Sequence, residues 1–218
     1  MNKPNIDLII DRIYQEKRLE ITRKIESFSL TNLNNYKDIF LELIFVILAA
    51  GTSAKLALKT TEILKKKDFI FHSNMNEIIL KLKGCYRFYN VRGRYIYTTR
   101  SYIKESYDNN FNKIFANNSG HYDRRNFFYS NKMIQGVGMK ASSHFLRNIG
   151  FHDYAILDKH IINLLKECGI ISTDIKVLNE KNYLRIEKIL REIGARHNLN
   201  LSSLDLVMWY FKTGEIIK

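Results

Sequence analysis

The sequence predicts an all-α protein, and three observations carry that expectation. Apolar residues recur at three- to four-residue spacing along most of the chain, without the alternation that a half-buried strand needs. The only proline, Pro4, precedes every periodic segment, and Gly150, Gly169 and Gly214 stand where helices end on a residue free to adopt positive φ. With 218 residues, 45% of them hydrophobic, the chain is large enough to bury a core.

Each element follows from its own pattern. Ile6, Ile9, Ile10, Ile13, Ile21 and Ile25 form one apolar stripe among charges, predicting an amphipathic helix over about 6–28. The next, about 36–50, is apolar on nearly every side and belongs at the centre of a core. Gly51-Thr52-Ser53 stops it and supplies a new N-cap for a helix to about Lys66. Asn74 with Glu77 forms a capping-box pattern for a helix ending near Gly84. Further helices are expected over about 91–107, 123–133, 139–149, 159–168, 180–197 and 203–213, and the Asn-rich 109–123 reads as a loop insertion. No linker or repeat marks a domain boundary, so 1–218 is taken as one unit.

Composition narrows the function. Lys and Arg number 35 against 22 Asp and Glu, a formal charge of +13, which favours a polyanionic partner. Cys85 and Cys168 alone cannot supply a disulfide-rich scaffold, a four-Cys zinc site or an iron–sulfur cluster, so neither metal nor cofactor is expected. The longest apolar stretch, Leu43 to Gly51, is too short to span a bilayer, and an intracellular protein of the cytoplasm or nucleoid is expected. The cations also cluster. No acid lies between Glu77 and Glu105, where Lys81, Lys83, Arg87, Arg92, Arg94, Arg100 and Lys104 alternate with Tyr and Phe. A second acid-free window, from Arg124 to His152, holds Arg124, Arg125, Lys132, Lys140 and Arg147. Cations neutralise phosphates and rings stack on bases, so both windows point to nucleic acid, with Arg92 and Arg147 as phosphate-contact candidates.

The sharpest local signal is Gln135-Gly136-Val137-Gly138-Met139-Lys140-Ala141, a Gly-X-Gly turn between two helical patterns. Gly136 and Gly138 permit positive φ and leave N–H groups uncovered at a helix start, an arrangement suited to a backbone phosphate. Lys140 falls in the first helical turn, where the positive helix end disfavours an ammonium and makes a neutral, nucleophilic amine more accessible. Downstream, Asp158 immediately precedes a helix; it is an N-cap candidate and also a carboxylate able to face positive charge.

These residues resemble a known family. Gly136-Val137-Gly138-Met139-Lys140, Phe145-Leu146-Arg147-Asn148-Ile149-Gly150 and Ile156-Leu157-Asp158-Lys159-His160 look like the helix-hairpin-helix DNA glycosylase signature. Arg87-Phe88-Tyr89-Asn90-Val91-Arg92 and the ending from Asp205 to Lys218 are more closely similar to the archaeal-type, second family of 8-oxoguanine DNA glycosylase/AP lyase. Gln135 stands where proline is common, and Ser142 where alanine is usual.

The resemblance implies a two-lobed, all-α fold with the helix-hairpin-helix element at about 123–149 and the active site in the cleft between lobes. It implies a bifunctional repair enzyme acting on double-stranded DNA that contains an oxidised guanine, with no membrane and no obligate protein partner. By resemblance Lys140 is the nucleophile at the sugar C1′ and Asp158 stabilises the charge that develops there. Trp209 stacks on the everted base, Phe88 and Arg87 fill the space near the lesion, and the terminal carboxylate of Lys218 reads the base. Asp205 is a weaker recognition candidate that can equally cap or pair. Two other readings stay open at this point: a non-catalytic helix-hairpin-helix module that only binds DNA, and a glycosylase for a different oxidised base.

Overall fold

The structure, a computed structural model, describes residues 3–29, 33–175 and 178–217. Every regular element among the described residues is helical. In chain order they are α1 (Ile6–Ser29), α2 (Tyr36–Ala49), α3 (Ala54–Lys65), α4 (Phe69–His72), α5 (Met75–Lys83) and α6 (Tyr89–Tyr107). There follow α7 (Phe111–Asn117), α8 (His121–Ser130), α9 (Met139–Asn148), α10 (Lys159–Glu167), α11 (Glu180–Arg196) and α12 (Leu201–Thr213). The chain sorts into two compact units, residues 31–145 and residues 1–30 with 146–218.

In the unit of residues 31–145, α2 is the core helix its composition predicts, buried at every position from Ile39 to Leu48 except Glu42. Asn35 caps it by accepting from Lys37 N, and Ser53 caps α3 by accepting from Leu56 N. The capping box forms as expected: Asn74 accepts from Glu77 N at 3.1 Å while Glu77 accepts from Asn74 N at 2.7 Å. Helix α6 packs on both α5 and α2. Gly93 permits the approach to α5, since a Cβ there would lie 2.6 Å from Ile79 Cγ1.

One local expectation needs correction. Residues 109–123 are not a loop insertion: Asn110 caps α7, whose Phe111, Ile114 and Phe115 are buried. The helix expected to end near Lys66 does end there, and leads into a 3-10 turn, Lys66–Asp68, and then α4. Lys67 and Asp68 adopt φ of 52° and 55°, left-handed values that a periodicity of apolar residues does not encode.

In the other unit, α1, α10 and α11 all pack on α12. The apolar stripe of α1 is buried at Ile6, Ile9, Ile10, Ile13 and Ile21, and α12 is buried from Leu204 to Met208. Gly150, Gly169 and Gly214 have φ of 98°, 71° and 73°, ending their helices as the sequence predicts.

Candidate active site

The hairpin turn between α8 and α9 lies on a bed provided by one face of α6. Thr99 Oγ1 donates to the Met133 carbonyl and accepts from Gln135 N at 3.1 Å, and Tyr102 Oη accepts from Asn131 Nδ2 at 2.9 Å. Gln135 thus employs an N–H that a proline would lack. Ile134 and Val137 point inward and are buried. Gly136 has φ of +77°, and a Cβ there would lie 2.6 Å from Tyr95 Cδ2 and 2.9 Å from Arg92 Nη1, so glycine is demanded twice over.

Gly138 is different. It is exposed, no atom lies within 4 Å of where its Cβ would be, and its carbonyl accepts the first helical bond, from Ser142 N at 2.9 Å. Nothing among the described residues requires glycine there; the lack of a side chain instead leaves open space before the helix. The N–H groups of Met139, Lys140 and Ala141 have no acceptor among the described residues. Lys140 is exposed in this first turn. Ser142 is fully buried, with its hydroxyl donating to the Met139 carbonyl at 2.9 Å.

Asp158 lies in the other unit, at the end of a segment without regular structure that runs from Phe151. Helix α11 fixes that segment. Buried Glu187 accepts from Ala155 N at 3.0 Å, and Tyr183 Oη donates to the Ala155 carbonyl at 2.6 Å while accepting from Leu157 N at 3.3 Å. Asp158 Oδ1 caps α10, accepting from His160 N at 2.8 Å and Ile161 N at 2.9 Å. Its Oδ2 accepts no hydrogen bond among the described residues, so capping occupies half of the carboxylate. Trp209, half-buried on α12, meets the His160 ring edge to face with centroids 5.1 Å apart.

Several expected DNA contacts are turned inward. Arg147 is 2% exposed, its guanidinium 4.5 Å from the Phe28 ring centre and 3.7 Å from Asp205 Oδ2, so it is a buried structural ion rather than a phosphate contact. The same contact pairs Asp205, 7% exposed, with Arg147, the pairing role that its sequence left open. Arg92 is half-buried and donates from Nη2 to the Ala50 carbonyl at 2.9 Å, satisfying the end of α2 beneath the hairpin. Arg100 does likewise for α4, donating to the carbonyls of Ile70 and Ser73, and burial holds its guanidinium below its ordinary value. Arg125 is also buried, 1% exposed. Lys81, Lys83, Arg87, Arg94, Lys104, Lys132 and Lys140 remain exposed.

Phe88 is half-buried at the start of α6, with its ring 3.5 Å from the position a Gly51 Cβ would take, and the exposed Arg87 guanidinium covers it at 5.1 Å. Lys218 lies outside the described residues. Sequence reasoning missed Thr99, Tyr102, Tyr183 and Glu187, which position the hairpin and the Asp158 segment. Only Glu187 had a signal, as a carboxylate on the apolar side of an amphipathic helix.

The family model described as 8-oxoguanine DNA glycosylase matches residues 21–199. The 8-oxoguanine DNA glycosylase/AP lyase of Thermoplasma volcanium is 40% identical over 204 residues, covering 93% of this chain and 94% of its own. That of Methanocaldococcus jannaschii is 35% identical over 221 residues, covering 97% and 100%. The solved structure of the M. jannaschii 8-oxoguanine glycosylase/lyase with 15mer DNA containing 8-oxoguanine is similar at a TM-score of 0.86 and 34% identity, covering 97% of this chain and 100% of that one. The 8-oxoguanine DNA glycosylase of Thermotoga maritima follows at a TM-score of 0.81 and 29% identity, with 96% of both chains covered.

Proposed function

The chain belongs to the 8-oxoguanine DNA glycosylase family, and on that premise we propose that it excises 8-oxoguanine from double-stranded DNA and then cuts the strand at the vacated sugar. Such an activity belongs where the cell keeps its DNA. No helix among the described residues is long and apolar enough to cross a membrane.

The chemistry proceeds through an amine. The Lys140 Nζ lone pair forms a bond to C1′ as the glycosidic bond breaks, and the bonding pair leaves with the base, which takes up a proton. Loss of the amine proton and opening of the sugar ring give a protonated imine. That electron sink acidifies C2′; removal of its proton expels the 3′ phosphate, and water later releases Lys140. Positive charge develops at the sugar in the first step, and the Oδ2 side of Asp158 supplies the opposing carboxylate. Trp209 supplies a stacking surface for the everted base, and Phe88 with Arg87 fills the gap near the lesion.

The observation that supports Lys140 as nucleophile is its exposure beside the open face of Gly138 and the unaccepted N–H groups of α9. Those groups suit a phosphate oxygen, and a phosphate held there brings a sugar within reach of the amine. Borohydride trapping tests the assignment. Lys140→Gln is expected to bind lesion duplex yet yield no covalent adduct with 8-oxoguanine DNA, and an adduct of normal yield would remove Lys140 from the role. Binding without cleavage by the wild-type chain would favour a non-catalytic module, and preferential release of another oxidised base would change the substrate.

A further inference from the structure

Trp209 is the only tryptophan in the chain, and one ring is seen against it: the His160 imidazole, with centroids 5.1 Å and planes 79° apart. In an edge-to-face pair the positive rim of one ring meets the negative face of the other, which favours one mutual tilt. The Trp209 Nε1 is enclosed and has no hydrogen-bond partner among the described residues. No hydrogen bond therefore fixes the indole, and ring packing must set its angle. The His160 main chain is itself fixed, since its N–H donates to Asp158 Oδ1 at 2.8 Å. One residue is thus tied through its backbone to the candidate catalytic carboxylate and through its ring to the candidate stacking surface.

We infer that His160 is a positioning residue for base recognition, holding the Trp209 indole at the tilt on which the everted base stacks. The inference rests on the stacking role assigned to Trp209 above. A stacking surface works only over a narrow range of tilt and offset, so a ring that rotates freely contacts the base poorly even though it is present. An abasic site has no base to stack. The role of His160 therefore belongs to excision and not to the later strand cut.

Single-turnover assays on two duplexes separate these steps, one carrying 8-oxoguanine and the other a preformed abasic site. His160→Ala is expected to slow 8-oxoguanine excision on the order of tenfold, with abasic cleavage changed less than about twofold. His160→Phe keeps a ring edge at the same place and should restore most of the excision rate. Because no other tryptophan contributes, the emission maximum and acrylamide quenching of the protein read the Trp209 environment directly. Both should shift in His160→Ala and return towards wild type in His160→Phe. Equal losses on the two duplexes, an unchanged excision rate, or failure of the Phe variant to rescue would each overturn the proposal. Trp209→Ala separates the two layers. Normal excision by that variant removes the stacking role and this inference together, whereas impaired excision beside a normal His160→Ala removes this inference alone.

Discussion

At the scale of single residues, Asp158 poses the question of whether a helix cap can also be a catalytic group. Oδ1 is fully occupied by His160 N and Ile161 N, while Oδ2 is left over. The cap and the proposed chemistry therefore draw on different atoms of one carboxylate. Asparagine caps about as well as aspartate but carries no charge. Asp158→Asn should consequently melt within a few degrees of wild type while excision slows on the order of 10²-fold or more. Thermal unfolding followed by single-turnover kinetics checks both halves; a variant that melts far lower and whose folded fraction turns over normally would reduce Asp158 to a cap. The Arg147–Asp205 pair teaches the complementary lesson. Both residues lie in segments that carry family motifs, yet their side chains are nearly buried, and sequence alone cannot tell an arginine facing DNA from one facing an aspartate across a helix interface.

At the scale of elements, the two hairpin glycines separate packing from ligand binding. Gly136 is held by its left-handed φ and by Tyr95 and Arg92 beneath it, whereas Gly138 has open space in front. Gly136→Ala should destabilise the fold by about 1–3 kcal/mol, from backbone strain and a forced shift of its neighbours. Gly138→Ala should cost the fold under about 1 kcal/mol, since only the N-cap preference changes, yet weaken duplex binding because a methyl group enters the space a phosphate oxygen needs. Chemical denaturation and a duplex-binding titration distinguish them, and the reverse order of effects would contradict the assignment. Helix positions were legible wherever an apolar stripe ran for several turns or a cap stood at its head, as in α1, α5 and α12. The short α7 was not legible, because seven residues among asparagines give too little periodicity. The hairpin sequence was legible too, but its bed on α6 was not. Thr99 and Tyr102 are recognisable as supports only once the two elements are seen together.

At the scale of the whole molecule, charge and pH act on the fold itself. His152 has Nε2 2.8 Å from Ser29 Oγ, and its enclosed Nδ1 has no partner among the described residues. Burial, and secondarily the Arg147 charge, hold its imidazole below its ordinary value of 6.5. The folded state thus prefers neutral His152, and its contribution is complete above the unfolded value and is lost as pH falls from there through the folded one. Asp7 behaves in the same direction at lower pH. Hydrogen bonds from His197 and Arg196 hold its carboxyl below 3.8, so that stabilisation persists until stronger acid. The melting temperature should therefore decline on acidification from pH 7 to 5, and His152→Gln, which can still reach Ser29, should flatten that decline. Parallel slopes for the two proteins would show that the decline originates elsewhere. The excess of 13 positive charges is in part a structural matter, because Arg92, Arg100, Arg125 and Arg147 are spent on carbonyl groups and the interior.

The pairing of α1 with α12 sets an order of events during synthesis on the ribosome. The unit holding the hairpin and Lys140 is one uninterrupted stretch, residues 31–145, so the contacts internal to it are all available before residue 146 is added. The unit holding Asp158 and Trp209 needs residues 1–30 together with 146–218, so α1 must wait for the last helix before its apolar stripe finds its own packing surface. The unit that carries Lys140 is therefore fully synthesised before the unit that carries Asp158 and Trp209, which closes only once translation has passed α12.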